Sequence, residues 1–141
     1  MEPTPIPMEP TPVCLMIDDD LDDQEIFSLA LVNISPFIRC IYANDGIFAL
    51  EKLNQKPYLI PGLIFMDMNM PRMNGMECLK EIKKINRLWH VPVYMYSTAA
   101  DMAIINECKH LGATDVIKKS PAMSDLENTL STILSNHKIA E

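Results

Sequence analysis

A five-stranded, doubly wound parallel α/β sheet with helices on both faces is the fold that residues 13–138 predict. Two observations predict it. Short apolar runs alternate five times with segments of helical period, the signature of a parallel sheet flanked by helices. The runs are also short and apolar on both faces rather than on one, as strands of a covered parallel sheet require. The expected strands are 13–17, 37–43, 63–66, 93–96 and 115–118. The first helix is marked by Ile26, Leu29 and Ala30, the second by Ala49, Leu50 and Leu53, and the third by Met76, Leu79 and Ile82. Ile104, Cys108 and Leu111 mark the fourth, and Leu126, Leu130 and Ile133 the fifth. Breakers punctuate the pattern at Ser35-Pro36, Pro57, Pro61-Gly62, Pro92 and Gly112.

Composition narrows the function. With 141 residues, 48% of them hydrophobic, the chain has material for one core and one domain. Twelve basic against 19 acidic residues give a net charge of −7, which argues against direct nucleic-acid binding. No apolar run approaches the ~20 residues that span a bilayer, and no signal segment is evident, so a cytoplasmic protein without membrane attachment is expected. The four cysteines, Cys14, Cys40, Cys78 and Cys108, show no zinc or redox spacing and read as reduced, half-buried thiols. Residues 1–12, MEPTPIPMEPTP, hold five prolines and repeat MEPTP, which predicts an extended, flexible leader. Residues 139–141 read as a short tail. Trp89, beside Pro92, reads as a packing residue.

An open α/β sheet binds its ligand outside the carboxyl ends of its strands. At those ends stand Asp18 and Asp19, then Asp67, then Ser97 and Thr98, and finally Lys118 and Lys119. Carboxylates sharing one site repel by on the order of 4 kcal/mol per pair at about 4 Å and an effective dielectric of ~20, so the cluster calls for a cation. An all-oxygen donor set favours magnesium. Asp67, ending a buried run, is costly unless its charge is matched, and beside magnesium and a lysine it suits nucleophilic attack on a phosphoryl group. Ser97 is placed to hydrogen-bond the phosphoryl group acquired. In the run VCLMIDDDLDD, Asp18 and Asp19 are assigned to the metal. Asp20 reads as the N-cap of the first helix, with Asp22 and Asp23 facing its dipole.

IDDD, MDMNMPRMNG, PVYMYSTAAD and GATDVIKKS, in this order and spacing, resemble the receiver domain of two-component response regulators over about residues 13–136. The resemblance implies a flavodoxin-like sheet of strand order 2-1-3-4-5. It implies that Asp67 accepts a phosphoryl group from a sensor histidine kinase or a histidine phosphotransfer protein. Asp19 matches the direct magnesium ligand, Asp18 the partner acting mainly through water, and Asn69 the backbone carbonyl donor. Lys119 matches the lysine that pairs with the phosphoryl group, Ser97 the switch hydroxyl, and Pro71 and Gly75 the residues that shape the loop and the start of the third helix. A phosphorylation-biased surface around the fourth helix, fifth strand and fifth helix would then bind a downstream protein or form a homodimer. The chain ends at Glu141, soon after the fifth helix, which is the pattern expected of a single-domain regulator. Such a protein is a signalling domain rather than an enzyme, catalysing only its own phosphorylation and dephosphorylation.

Three positions depart from the family pattern: Ser120 in place of the proline after the lysine, Val116 in place of an aromatic, and Thr98 in place of a small alanine. Two other classes of function fit parts of the sequence. A magnesium-dependent phosphatase of small phosphoesters would share the aspartate nucleophile, but its second acid is Asn69 here. A nucleotide- or flavin-binding module would want a Gly-rich loop after the first strand, where acids stand instead.

Overall fold

A computed structural model describes residues 13–139; the leader 1–12 and the last two residues of the tail lie outside the described residues. The chain runs β1 Val13–Ile17, α1 Leu21–Ile34, β2 Arg39–Ala43, α2 Gly46–Gln55, β3 Leu63–Asp67 and α3 Gly75–Lys83. After a 3₁₀ turn at Asn86–Leu88 come β4 Val93–Ser97, α4 Met102–His110, β5 Asp115–Lys118 and α5 Met123–Asn136. All strands are parallel in the order β2-β1-β3-β4-β5, as expected.

The central strands β1, β3 and β4 are buried over nearly their whole length because both faces are covered, whereas the edge strands β2 and β5 carry exposed Arg39, Asp115 and Lys118. Alternate residues Leu15, Ile17, Ile64, Met66, Val93 and Met95 pack under α2, α3 and α4. Their neighbours Cys14, Met16, Leu63, Phe65, Tyr94 and Tyr96 pack under α1 and α5. The order reverses between β1 and β3, so the carboxyl ends of these two strands meet at the switch point. Ile17 pairs with Met66, which delivers Asp18 and Asp67 side by side one residue later.

Helix ends follow their local chemistry. Asp20 caps α1, accepting from the backbone N–H groups of Asp22 and Asp23. Asn74 and Glu77 close a reciprocal capping box on α3. After α4, Gly112 takes φ +112°, and Ala113 N–H reaches back to the Cys108 carbonyl at 2.9 Å to end the helix.

Three expectations need correction. The second strand starts at Arg39 rather than Phe37, because Ile38 N–H bonds the Ser35 carbonyl in a turn and leaves Phe37 71% exposed. The buried stripe of α1 is Phe27, Ala30 and Leu31 rather than Ile26, Leu29 and Ala30. That helix is apolar around much of its circumference, with Leu21, Leu29 and Val32 exposed, so its period left the inward side undetermined. Trp89 does not pack: it is 73% exposed, and Leu88 fills the core beside it.

Gly75 shows how tightly the site's backbone is closed. A Cβ there would lie 2.4 Å from the Asp67 carbonyl oxygen and 2.9 Å from Met68 Cα, both backbone atoms. At Gly62 a Cβ would meet only ordinary contacts of 3.4 Å or more. We expect Gly75→Ala to destabilise the fold by about 2–3 kcal/mol through overpacking, and Gly62→Ala by less than about 0.5 kcal/mol. Urea unfolding of both variants checks this, and equal midpoint shifts would refute the close approach.

Candidate functional site

The site is built from three strand ends and the first turn of α1. Asp18 leaves β1 with its N–H bonded to the Ala43 carbonyl at 3.1 Å, and its Oδ1 accepts from Asp20 N–H at 2.9 Å. Asp67 ends β3, and its Oδ1 accepts from Asn69 N–H at 3.3 Å. Lys119 follows β5, with its own N–H anchored on the Ser97 carbonyl at 2.7 Å. Asp18 is fully buried and Asp67 nearly so, whereas Asp19 is exposed.

Lys119 holds the cluster together. Its Nζ lies 3.4 Å from Asp18 Oδ2, 3.2 Å from Asp67 Oδ1 and 2.8 Å from Asp23 Oδ2, and 5.0 Å from the centre of the Tyr96 ring. Burial alone would lower its pKa, but the hydrogen bond to Asp23 and the charges of Asp18, Asp67 and Asp23 outweigh it and raise the ammonium above its ordinary range. Burial pushes Asp18 up to about 6, with the Asp67 and Asp23 charges adding to the effect; the Asp20 N–H and Lys119 act against it. Asp67 is raised as well, again chiefly by burial, although Lys119 opposes the shift.

Lys119 thus pairs with three carboxylates, and with Asp19 beside Asp18 and Asp67 the site retains excess negative charge. Oxygens of Asp18, Asp19 and Asp67 all lie within 4.8 Å of one another, a donor set that fits a hard divalent cation.

Of the residues singled out in the sequence, Asp18, Asp19, Asp67 and Lys119 converge. Asn69 meets the site through its N–H. Ser97 is buried, but its hydroxyl donates to the Ala99 carbonyl at 2.7 Å and accepts from Ala99 N–H at 3.2 Å, so it is turned into its own loop. Thr98 beside it is exposed. Among the described residues no peptide bond is cis, so Lys119–Ser120 is trans. Val116 packs half-buried against the core under α2, α3 and α4.

Sequence reasoning misses Asp23: an acid in the first turn of α1 is expected to face the helix dipole, yet Asp23 is the shortest partner of Lys119. The signal was available. Side chains on a helix lean towards its N-terminus, so an acid at the third position of α1 reaches back over the loop that carries Asp18 and Asp19. Asp20, by contrast, is the cap that the sequence indicated.

Comparison with known proteins agrees with this geometry. The family model described as the response regulator receiver domain matches residues 14–131. The chain is 33% identical over 123 residues to the two-component response regulator ORR5 of Oryza sativa subsp. japonica, covering 87% of this chain and 89% of that protein. Among solved structures it resembles the phosphorylated cyanobacterial phytochrome response regulator RcpA, with a TM-score of 0.78 and 27% identity over 88% of this chain and 91% of that one. It also resembles the Mn2+-bound form of response regulator Rcp1, with a TM-score of 0.74 and 27% identity over 88% of this chain and 92% of that one.

Proposed function

The chain belongs to the response regulator receiver family, and from that premise we propose that Asp67 is the residue it phosphorylates. The carrying observation is that Asp67, at the end of a fully buried strand, shares the Lys119 ammonium with Asp18 and Asp23. In this reading an Asp67 carboxylate oxygen attacks the phosphorus of a phosphohistidine, forming an acyl phosphate as the N–P bond breaks. Lys119 stays paired with the phosphoryl oxygens through the transfer. Asp18, Asp19, Asp67 and the Asn69 carbonyl would hold the metal, and magnesium, when bound, offsets charge on the transferring phosphoryl oxygens. The Mn2+-bound relative supports a divalent ion of this class at the site.

Ser97 must leave Ala99 to reach a phosphoryl group on Asp67. That rotation couples the modified site to the loop between β4 and α4, and so to the surface a downstream protein or a second copy would read. The donor in this reading is a sensor histidine kinase or a histidine phosphotransfer protein. The catalysis is confined to the domain's own phosphorylation and dephosphorylation. No observation favours the small-phosphoester phosphatase, whose second acid is Asn69 here. Among the described residues no helix is long and apolar enough to cross a membrane.

Incubation with acetyl phosphate and Mg2+ should add one phosphoryl group, read by intact mass, and chelation with EDTA should abolish the gain. Equal labelling with and without EDTA would remove the metal from the mechanism. Saturating Mg2+ at 100 times its Kd should also stabilise the fold by about 2.7 kcal/mol.

A further inference from the structure

Two thiols face each other on the first two strands, remote from the acidic cluster. Cys14 and Cys40 are register partners on β1 and β2, with Sγ atoms 3.1 Å apart and the Cys14 thiol donating to the Cys40 sulfur. Paired strands lie about 4.8 Å apart, inside the Cα separation of roughly 4.4–6.8 Å that a disulfide spans. Closing the sulfurs to a bonded length of about 2.05 Å requires a movement of only about 1 Å. Cys14 is buried, whereas Cys40 is half-buried on the edge strand, the more accessible of the pair. Cys78 and Cys108 are buried elsewhere, against the Gly46 carbonyl and Met68 Sδ respectively.

We propose that Cys14 and Cys40 form a reversible redox dithiol, oxidised to an intrachain disulfide by small-molecule disulfides of the glutathione type. The Cys40 thiolate attacks one sulfur of the disulfide, forming a mixed disulfide and expelling one small thiolate. Cys14 then attacks the Cys40 sulfur and expels the second. The two cysteine protons pass to the two departing thiolates, so one disulfide is reduced as one is formed.

The roles follow from the surroundings. The hydrogen bond from Cys14 holds Cys40 below the ordinary cysteine range against the effect of burial, while the same bond, with burial, pushes Cys14 up. Cys40, the less buried of the two and on the edge strand, is the attacking thiol and Cys14 the resolving one. The Tyr42 hydroxyl, two residues on along β2, is buried with no hydrogen-bond partner among the described residues. Oxidation would fasten the edge strand β2 to β1, about 13 Å along the strand from Asp18. It would thus leave the carboxylate cluster intact.

Native protein is incubated with glutathione disulfide, quenched in acid, denatured, alkylated and mapped by mass spectrometry. The expected result is two of the four thiols protected, a crosslink joining the Cys14 and Cys40 peptides, and full reversal by dithiothreitol. Cys40→Ser, at a half-buried position, should keep Cys14, Cys78 and Cys108 fully alkylatable. Four free thiols in the wild type, a crosslink through Cys78 or Cys108, or a mixed disulfide persisting on Cys40 beside a free Cys14 would each overturn the proposal.

Discussion

Asp67→Asn should take up no phosphoryl group from acetyl phosphate in Mg2+ while remaining folded and becoming slightly more stable. The amide has the shape of the carboxyl group, and its oxygen can still accept the Asn69 N–H that now lies 3.3 Å from Asp67 Oδ1. It lacks the nucleophilic oxyanion, so loss of labelling should be complete rather than partial. Lys119 keeps Asp18 and Asp23 as partners. The stability change follows from the raised pKa of Asp67. A carboxyl group whose folded pKa lies above its unfolded value, about 3.9, favours folding when protonated. That contribution is present below the unfolded pKa and is lost as pH rises through the folded one. At pH 7 the charged group therefore opposes folding, and Asn removes that opposition in the absence of metal. Below about pH 4, where the wild-type carboxyl group is protonated in both states, the difference should vanish. Urea midpoints at the two pH values, beside intact-mass labelling, check both halves. Phosphoryl uptake by the variant would move the acceptor to another carboxylate.

The fold was legible because each strand had to be apolar on both sides, and a run such as LIFMD admits few other readings. The site was legible for a related reason: Asp67 closing a buried run is expensive unless something compensates it, and the compensating lysine lay at another strand end. What stayed hidden depended on direction rather than on residue type. Phe27 and Ile26 are equally apolar, and only packing against α5 decides which turns inward. Asp22 and Asp23 are identical in chemistry and adjacent on α1, yet only Asp23 reaches Lys119. Ser97 ends the strand next to β3, but a hydroxyl rotor has no sequence signature, and its bond to Ala99 is a matter of local loop geometry. The Cys14–Cys40 contact escaped because spacing along the chain says nothing about register between strands, which the ladder Val13↔Arg39 to Ile17↔Ala43 sets.

Lys119→Met should cost more stability than any other single change in the cluster, and its cost should depend on pH. The substitution keeps a long, unbranched stem against Tyr96 and removes the one ammonium among Asp18, Asp19, Asp23 and Asp67. Removing one partner of a buried ion pair costs about 3–5 kcal/mol. The Lys119 side chain is 15% exposed and Asp23 29%, so water will relieve part of this, and a loss of roughly 3 kcal/mol at pH 7 is expected. Asp18 is already held up to about 6 with the ammonium present, and without it both Asp18 and Asp67 should rise further. Their protonation in the folded state then offsets the loss as pH falls, so the gap between variant and wild type should narrow between pH 7 and pH 5. The gap should be widest above the raised carboxyl range and should close as Lys119 itself deprotonates in the wild type, beyond the ordinary lysine value of 10.5. Mg2+ should restore stability to the variant by supplying the missing charge, but labelling of Asp67 should stay impaired because the metal does not replace the contact at 3.2 Å. Urea midpoints across pH, with and without Mg2+, test the balance. A gap independent of pH would mean that packing of the Lys119 stem, rather than its charge, holds this end of the sheet together.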